Sequence, residues 1–335
     1  MANIQDVARH AGVSTATVSR FLAGEHVRSH DAVAAAVEAL DYRPSRTARG
    51  LRMGRHLAVG VVVPDITNPF FAAVTRGVEE VITPAGLQVV IANSGESVAR
   101  EAELVGDLER RVDGIVLAPA TETDVVPSRL AASGTPVVFV DRVVTSGSDV
   151  DSVEVDNAAG ARLAAEHLLG LGHRAIAVIS GPQTCTPGRE RHEVFLAVLA
   201  EHGVVPAADH VEIADFTEAG GSAAMHRLLE RPDRPTAVFV ANNLMVVGAL
   251  KAIRLRGLRL PDALSVVGFD DLDLGALLDP PLTVVDRPTV AQGAAAGRLM
   301  LARLEHPDQP RASLTLPVEL VVRGSTAAPP RSPHA

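Results

Sequence analysis

Cysteine is almost missing from this chain. Cys185 is the only one in 335 residues, which excludes an intrachain disulfide framework, a CxxC pair and a cysteine-built zinc site. A reducing cytoplasm is therefore the expected setting. No apolar run approaches the roughly 18–20 residues that span a bilayer. The opening MANIQDVARH lacks a basic segment followed by an apolar one, so no secretory signal is expected. The 12 histidines form no HExxH or paired HxH spacing, and no GxSxG or Walker sequence occurs. The expectation is a protein that is not an enzyme and uses no metal or cofactor. Gly170-Leu171-Gly172-His173-Arg174-Ala175 matches GxGxxA, but it runs from a helical pattern into a strand. A dinucleotide fingerprint needs the opposite order, so this stretch reads as a helix C-cap. Lysine is also scarce. Lys251 stands alone against 30 arginines, which points to codon bias rather than mechanism.

What is present is ample core and uneven charge. The chain is 47% hydrophobic and 21% charged, and its length suits two to three domains. Net charge is −9, which taken whole argues against a nucleic-acid partner. Residues 1–55, however, hold eight arginines against five acids, a local +3 that leaves −12 on the remainder. A small basic head on an acidic body is the asymmetry expected of nucleic-acid contact.

The head has three helical patterns. Asn3-Ile4-Gln5-Asp6 forms a capping-box-like start, and Ile4, Val7, Ala8 and Ala11 then share one face. Gly12 ends that helix. Ser14 can cap a second, in which Val18, Phe21 and Leu22 face the first. Val33, Val37 and Leu40 mark a third, stopped at Tyr42-Arg43-Pro44 because proline disfavours helical geometry in the residue before it. This arrangement suits a helix-turn-helix, with Thr15, Ala16, Ser19 and Arg20 on the outer face of the second helix. Arg20 can grip guanine O6 and N7, and Ala16 can touch a thymine methyl. Ser14, Thr15 and Thr17 are short donors for phosphates. Spacing alone is equally consistent with a plain three-helix bundle.

From Leu57 onward short apolar runs alternate with helix-length segments. Candidate strands include 57–63, 87–92, 114–118 and 136–140, followed by 175–179, 211–214, 236–240 and 264–269. Candidate helices include 68–83, 97–111, 157–171, 189–203 and 242–256. This βαβ rhythm implies an α/β body with parallel sheets covered on both faces. Two such series imply two lobes, with a ligand cleft between them at the carboxyl ends of the strands.

Specific motifs carry a resemblance over roughly residues 3–325. In the head they are Asp6-Val7-Ala8, Ala11-Gly12-Val13-Ser14, Thr17-Val18-Ser19-Arg20 and Tyr42-Arg43-Pro44. In the body they include Val63-Pro64-Asp65, Asn68-Pro69-Phe70-Phe71, Val140-Asp141-Arg142, Ala241-Asn242 and Val267-Gly268-Phe269-Asp270-Asp271. Together they resemble the lactose-repressor (LacI/GalR) family of bacterial transcriptional regulators, whose bodies are similar to periplasmic sugar-binding proteins. A solute-binding receptor is the runner-up for the body alone. One stretch departs: Glu25 to Ala32 is about two residues short of the family pattern.

The resemblance implies a helix-turn-helix head over 1–44, a hinge over 45–55 and a two-lobed effector-binding and dimerisation body over 56–325. It divides the body into a first lobe of 57–155 plus about 289–314 and a second of 156–284 plus about 315–325. A disordered tail is expected over 326–335. In the hinge, Leu51 matches the family's minor-groove wedge, with Arg46, Arg49 and Arg52 supplying positive charge nearby. In the cleft, the carried-over residues are Phe70, Phe71 and Asp141 from the first lobe and Arg191, Phe216, Asn242 and Asp270 from the second. Arg287 stands where glutamine is common, Asn243 where an acid is usual and Val194 where glycine is usual. With Arg189 and Arg191, Arg287 is expected to make the pocket cationic, favouring a phosphorylated or carboxylated effector, and the resemblance implies a small sugar-like or phosphorylated metabolite. The implied partners are operator DNA, a small effector and a second copy of the chain. Residues 324–335 lack leucine heptads, so a dimer is expected rather than a tetramer. The wedge assignment makes Leu51→Ala a direct test: operator binding weakens and bending in circular-permutation gel shifts falls. Unchanged bending would make Leu51 an ordinary linker residue.

Overall fold

A computed structural model describes residues 2–22, 24–43, 55–123, 126, 130, 133–144, 150–272 and 275–329. The chain divides into two compact units, residues 1–57 and 58–335, each described here by itself.

The first unit holds α1 (Ile4–His10), α2 (Thr15–Leu22) and α3 (His30–Ala39). The capping box is formed: Asn3 Oδ1 accepts from the Asp6 amide, and Asp6 Oδ2 accepts from the Asn3 amide, both at 3.0 Å. Gly12 (φ +66) supplies the left-handed turn after α1. Ser14 Oγ accepts from the Thr17 amide at 3.2 Å, capping α2. Val7, Ala8, Val18, Val33 and Ala36 form the small core, with Ile4, Phe21, Leu22, Val37 and Leu40 packed around it. The apolar faces read from helical spacing are therefore the faces that pack.

The second unit contains two six-stranded sheets. The first is built from β1 (Ala58–Val63), β2 (Gln88–Asn93), β3 (Gly114–Leu117), β4 (Val137–Val140), β5 (Asp151–Val155) and β11 (Ser313–Leu316). Its order is β11-β5-β4-β3-β1-β2, parallel throughout. The second takes β6 (Ile176–Ser180), β7 (Val211–Ile213), β8 (Ala237–Val240), β9 (Ser265–Phe269), β10 (Thr283–Asp286) and β12 (Glu319–Val321). Its order is β12-β10-β9-β8-β6-β7, with only β12 antiparallel. The central strands are apolar on both faces because helices cover both sides.

Helices α4 (Pro69–Ile82), α5 (Val98–Leu108) and α10 (Thr289–Glu305) serve the first sheet. The second carries α6 (Asn157–Gly170), α7 (Thr186–Glu201), α8 (Glu218–Glu230) and α9 (Asn243–Leu255). Close helix crossings rest on glycine. A Cβ at Gly77 would lie 2.1 Å from the Val290 carbonyl, and one at Gly248 1.9 Å from the Glu218 carbonyl. The stretch 170–175 ends α6 with Gly172 at φ +95, a C-cap as read from its helix-to-strand direction. Among the described residues, no helix is long and apolar enough to cross a membrane.

The chain passes between the sheets three times, after β5, after β10 and after β11. Thr315 and Leu316 lie in the first sheet, paired with Glu154 and Val155, so the last passage falls two residues later than the sequence division at 314. The expected disordered tail also needs correction over 326–329. His173 is fully buried; its Nε2 donates to the Ala327 carbonyl at 2.8 Å, and its Nδ1 lies 2.8 Å from the Thr236 hydroxyl. The Ala327 amide donates to Ser265 Oγ at 3.1 Å, and His167 Nε2 lies 2.9 Å from the Thr326 hydroxyl. Buried polar partners, invisible in a proline-rich string, tie this segment to β9.

Burial lowers the pKa of both His167 and His173 below the ordinary histidine value. The neutral rings hold the segment, so their stabilisation is present above about pH 6.5 and is lost as pH falls toward the depressed folded-state values. The melting temperature should therefore drop on acidification from about pH 7.5 to 5.5, and His173→Gln should flatten part of that slope. An unchanged slope in the variant would exclude His173 as a source.

Candidate functional site: an interlobe cleft and a head helix

The cleft is assembled at strand ends. Asp141 directly follows β4, and Asp270 directly follows β9. Both have left-handed backbones, φ +69 and +71, as do Glu96 (+58) and Phe216 (+63). All four line one cavity of about 50 Å³ between the lobes. Non-glycine residues rarely hold positive φ, and such strained positions gather where side chains must be aimed at a ligand.

Helix starts supply other groups. Asn68 caps α4 by accepting from the Phe70 amide at 3.0 Å, and Pro69 occupies the first turn. This sets Phe70 and Phe71 in the cavity wall, ring centres 4.8 Å apart, edge to face. Asn242 caps α9: its Oδ1 accepts from the Met245 amide at 2.8 Å, and its amide nitrogen donates to the Phe216 carbonyl and to Asn243 Oδ1, both at 3.4 Å. Phe216 fits because residue 181 is glycine: a Cβ there would stand 2.0 Å from the ring.

Three buried guanidinium groups dominate the electrostatics. Arg142 binds Glu96 with two hydrogen bonds, 2.7 and 2.8 Å. Burial opposes its charge, but Glu96 outweighs that and raises its pKa. Arg287 spans the cleft: Nη1 donates to Asp141 at 2.5 Å, and Nε lies 2.5 Å from Asp270 Oδ1. That second contact is an ion pair whose N–H is poorly aligned for a hydrogen bond. The guanidinium carbon lies 3.6 Å from the Phe70 ring centre. Burial again opposes the charge, and Asp270 and Asp141 together raise the pKa.

Arg191 differs because it touches no carboxylate. Nε donates to Asn157 Oδ1 at 2.8 Å and Nη1 to the Ala241 carbonyl at 2.7 Å. Its guanidinium stacks on Phe269, while Nη2 is buried without a partner. Burial, then repulsion from Arg287, lowers its pKa to about 10. An orphan cationic donor at a cavity wall calls for an acceptor from outside the protein.

The seven carried-over residues, Phe70, Phe71, Asp141, Arg191, Phe216, Asn242 and Asp270, line this cavity, and so does the departing Arg287. The resemblance did not single out Asn68, Glu96, Arg142, Asp215 or Thr217, which line it too. Asn68 and Arg142 sit inside quoted motifs, whereas Glu96 carries no sequence signal. The cationic reading fails. Five carboxylates face three guanidinium groups across the lining. Arg189 lies outside it, paired with Glu122 at 3.0 Å and Glu193 at 3.1 Å. Asn243, at the position where an acid is usual, donates to Asn68 Oδ1 at 2.8 Å and so links the lobes.

On α2 of the head, Ser14, Thr15, Ala16 and Arg20 are exposed, and Thr17 and Ser19 are half-buried. Thr17 also shares a hydrogen bond with Ser14 at 3.0 Å, so its hydroxyl serves the helix start. Arg46, Arg49, Leu51 and Arg52 lie outside the described residues.

Residues 3–45 match the model of bacterial regulatory proteins of the lacI family, and residues 165–326 match a periplasmic binding protein-like domain. A ribose operon repressor of Halalkalibacterium halodurans is 37% identical over 340 residues, covering all of both chains. The chain belongs to the lacI family. It is a ligand-responsive, DNA-binding transcriptional regulator with a helix-turn-helix head and a two-lobed parallel α/β body. Among solved structures, a Lac repressor dimer bound to operator and an anti-inducer is 29% identical with TM-score 0.87, covering 98% of this chain and 99% of that one. A lacI-family regulator from Enterococcus faecium with bound ribose is also 29% identical, TM-score 0.71, covering 81% and 99%.

The contact between Gly181 and Phe216 generates a prediction for this member. Gly181→Ala should overpack the wall and lower stability in urea by about 1–3 kcal/mol. In a Phe216→Ala background the same change should cost much less. Equal costs in both backgrounds would dissociate the glycine from the ring.

Proposed function

We propose that this regulator is a repressor that binds a pseudopalindromic operator as a dimer and releases it when a small neutral sugar, a pentose such as ribose, enters the cleft. The observation that carries the ligand class is the excess of carboxylates over guanidinium groups in the cavity lining. Asp141 and Asp270 can accept hydrogen bonds from adjacent hydroxyls, the orphan Nη2 of Arg191 can donate to one, and Phe70 can cover the apolar face of a ring. A phosphate ester would bring further negative charge into that lining. The names of the ribose operon repressor and of the ribose-bound regulator point the same way.

Dimerisation is supported by exposed apolar residues on the body. Ile66, Val90, Ile91 and Val98 are all at least 39% exposed around edge strand β2, and Val247, Leu250, Leu272 and Leu278 line an apolar hollow of about 520 Å³ on the second lobe. Two heads then present two α2 helices, with Arg20 and Ala16 reading base edges and Ser14, Thr15, Thr17 and Ser19 near phosphates. Arg46 and Arg49 would add phosphate contacts, and Leu51 would wedge the minor groove. This reading places the protein in the cytoplasm, with the DNA, and assigns it no catalysis.

The test has two arms on the full chain. With an operator selected from random duplexes, affinity should fall steeply with salt, and Arg20→Ala should cost about 1–3 kcal/mol while relaxing preference at one base pair per half-site. In a thermal-shift panel, D-ribose should raise the melting temperature and ribose 5-phosphate should not. A shift with the phosphate alone would overturn the sugar assignment, and equal affinity for selected and random DNA would overturn the operator assignment.

A further inference from the structure

Arg287 occupies the place where a cleft ligand would be expected to engage the protein. It follows β10 on the chain's second passage between the lobes, and its side chain is 3% exposed. One end of the guanidinium meets Asp141 of the first lobe, the other meets Asp270 of the second, and its face lies on Phe70. Those three residues are the carboxylates and aromatic face assigned above to the sugar. A planar, donor-rich group stacked on an aromatic ring between two carboxylates makes the contacts a sugar's hydroxyls and ring face would make.

We propose that Arg287 is an internal stand-in for the effector, a latch that holds the lobes together until a hydroxyl-rich ligand displaces it from Asp141 and Asp270. The inference rests on the cleft being the effector site. Because Asp141 belongs to one lobe and Asp270 to the other, a rotation that parts the lobes draws the two carboxylates away from Arg287. Other bonds also cross the cleft, most of them between neutral groups. The Glu122 amide donates to the Thr184 carbonyl at 2.9 Å, the Val143 amide donates to Thr186 Oγ1 at 3.2 Å, and Asn243 bonds Asn68. Arg189 adds an ion pair with Glu122 nearer the rim. A glutamine at 287 has no charge and cannot bridge both carboxylates.

Two amide protons report closure directly, those of Glu122 and Val143, because each is held by an acceptor on the opposite lobe. Hydrogen exchange on the full chain without added sugar should be about tenfold or more faster in peptides covering 120–123 and 141–144 of Arg287→Gln than in the wild type. Exchange over β6 should be unchanged, which controls for global unfolding. Asp270→Asn, which removes one end of the latch without leaving a cation unpaired, should show a smaller increase in the same peptides. Calorimetry with D-ribose should show the glutamine variant binding about tenfold or more tightly, since the sugar no longer has a guanidinium to displace. Unchanged exchange in both variants would overturn the latch, and weaker ribose binding by Arg287→Gln would make Arg287 an ordinary ligand contact. Faster exchange with no ribose binding in either protein would uphold the latch and refute only the choice of sugar.

Discussion

A guanidinium withdrawn from water costs on the order of several kcal/mol unless carboxylates and hydrogen bonds replace its hydration. Three such groups are packed between the lobes of this protein, and the cleft's geometry follows from how each is compensated. Arg142 is compensated by Glu96 within the first lobe, so it stiffens that wall. Arg287 is compensated only if Asp141 and Asp270 come together, so its burial and the approach of the lobes are one event. Arg191 is compensated in part, by an asparagine, a carbonyl and a phenylalanine face. Removing Glu96 would strip buried Arg142 of its hydrogen-bonded carboxylate, the expensive failure for such pairs, whereas Arg287 keeps one carboxylate when the other is lost.

The scaffold exists to bring these groups to one place. Parallel strands of both sheets end at the cleft, and the residue after the strand turns through left-handed geometry at Asp141 and Asp270. Helices α4 and α9 begin there, so the capping residues Asn68 and Asn242 serve both helix and wall. Gly181 keeps room for Phe216. The three passages of the chain between the sheets let the lobes be coupled and still able to move relative to each other.

Much of this was legible in the sequence, and the failures share a cause. The head's packing faces followed from helical spacing, and the central strands from apolar runs, because both patterns are local. The cleft's membership followed from motifs: the seven carried-over residues line it, and so does Arg287. What local pattern does not carry is the partner across the fold. Arg287 and Arg189 counted as surplus positive charge because Asp141 and Glu122 lie 146 and 67 residues away. Glu96 had no motif to mark it. Strand β11 is short and mostly exposed, and β12 is only three residues with Leu320 and Val321 half-buried, so neither presents a strand-length apolar run. The ordered segment 326–329 depends on a buried histidine more than 150 residues earlier.

The central claim is that occupancy of the cleft and grip on DNA are coupled through the body. Linkage requires that coupling to be reciprocal: whatever factor the sugar takes from operator affinity, the operator must take from sugar affinity. The most direct measurement is calorimetric titration of the full-length protein with D-ribose, alone and with saturating operator duplex. The account predicts weaker ribose binding in the presence of operator, by a factor of about 5–150. Equal ribose affinity with and without DNA would contradict it.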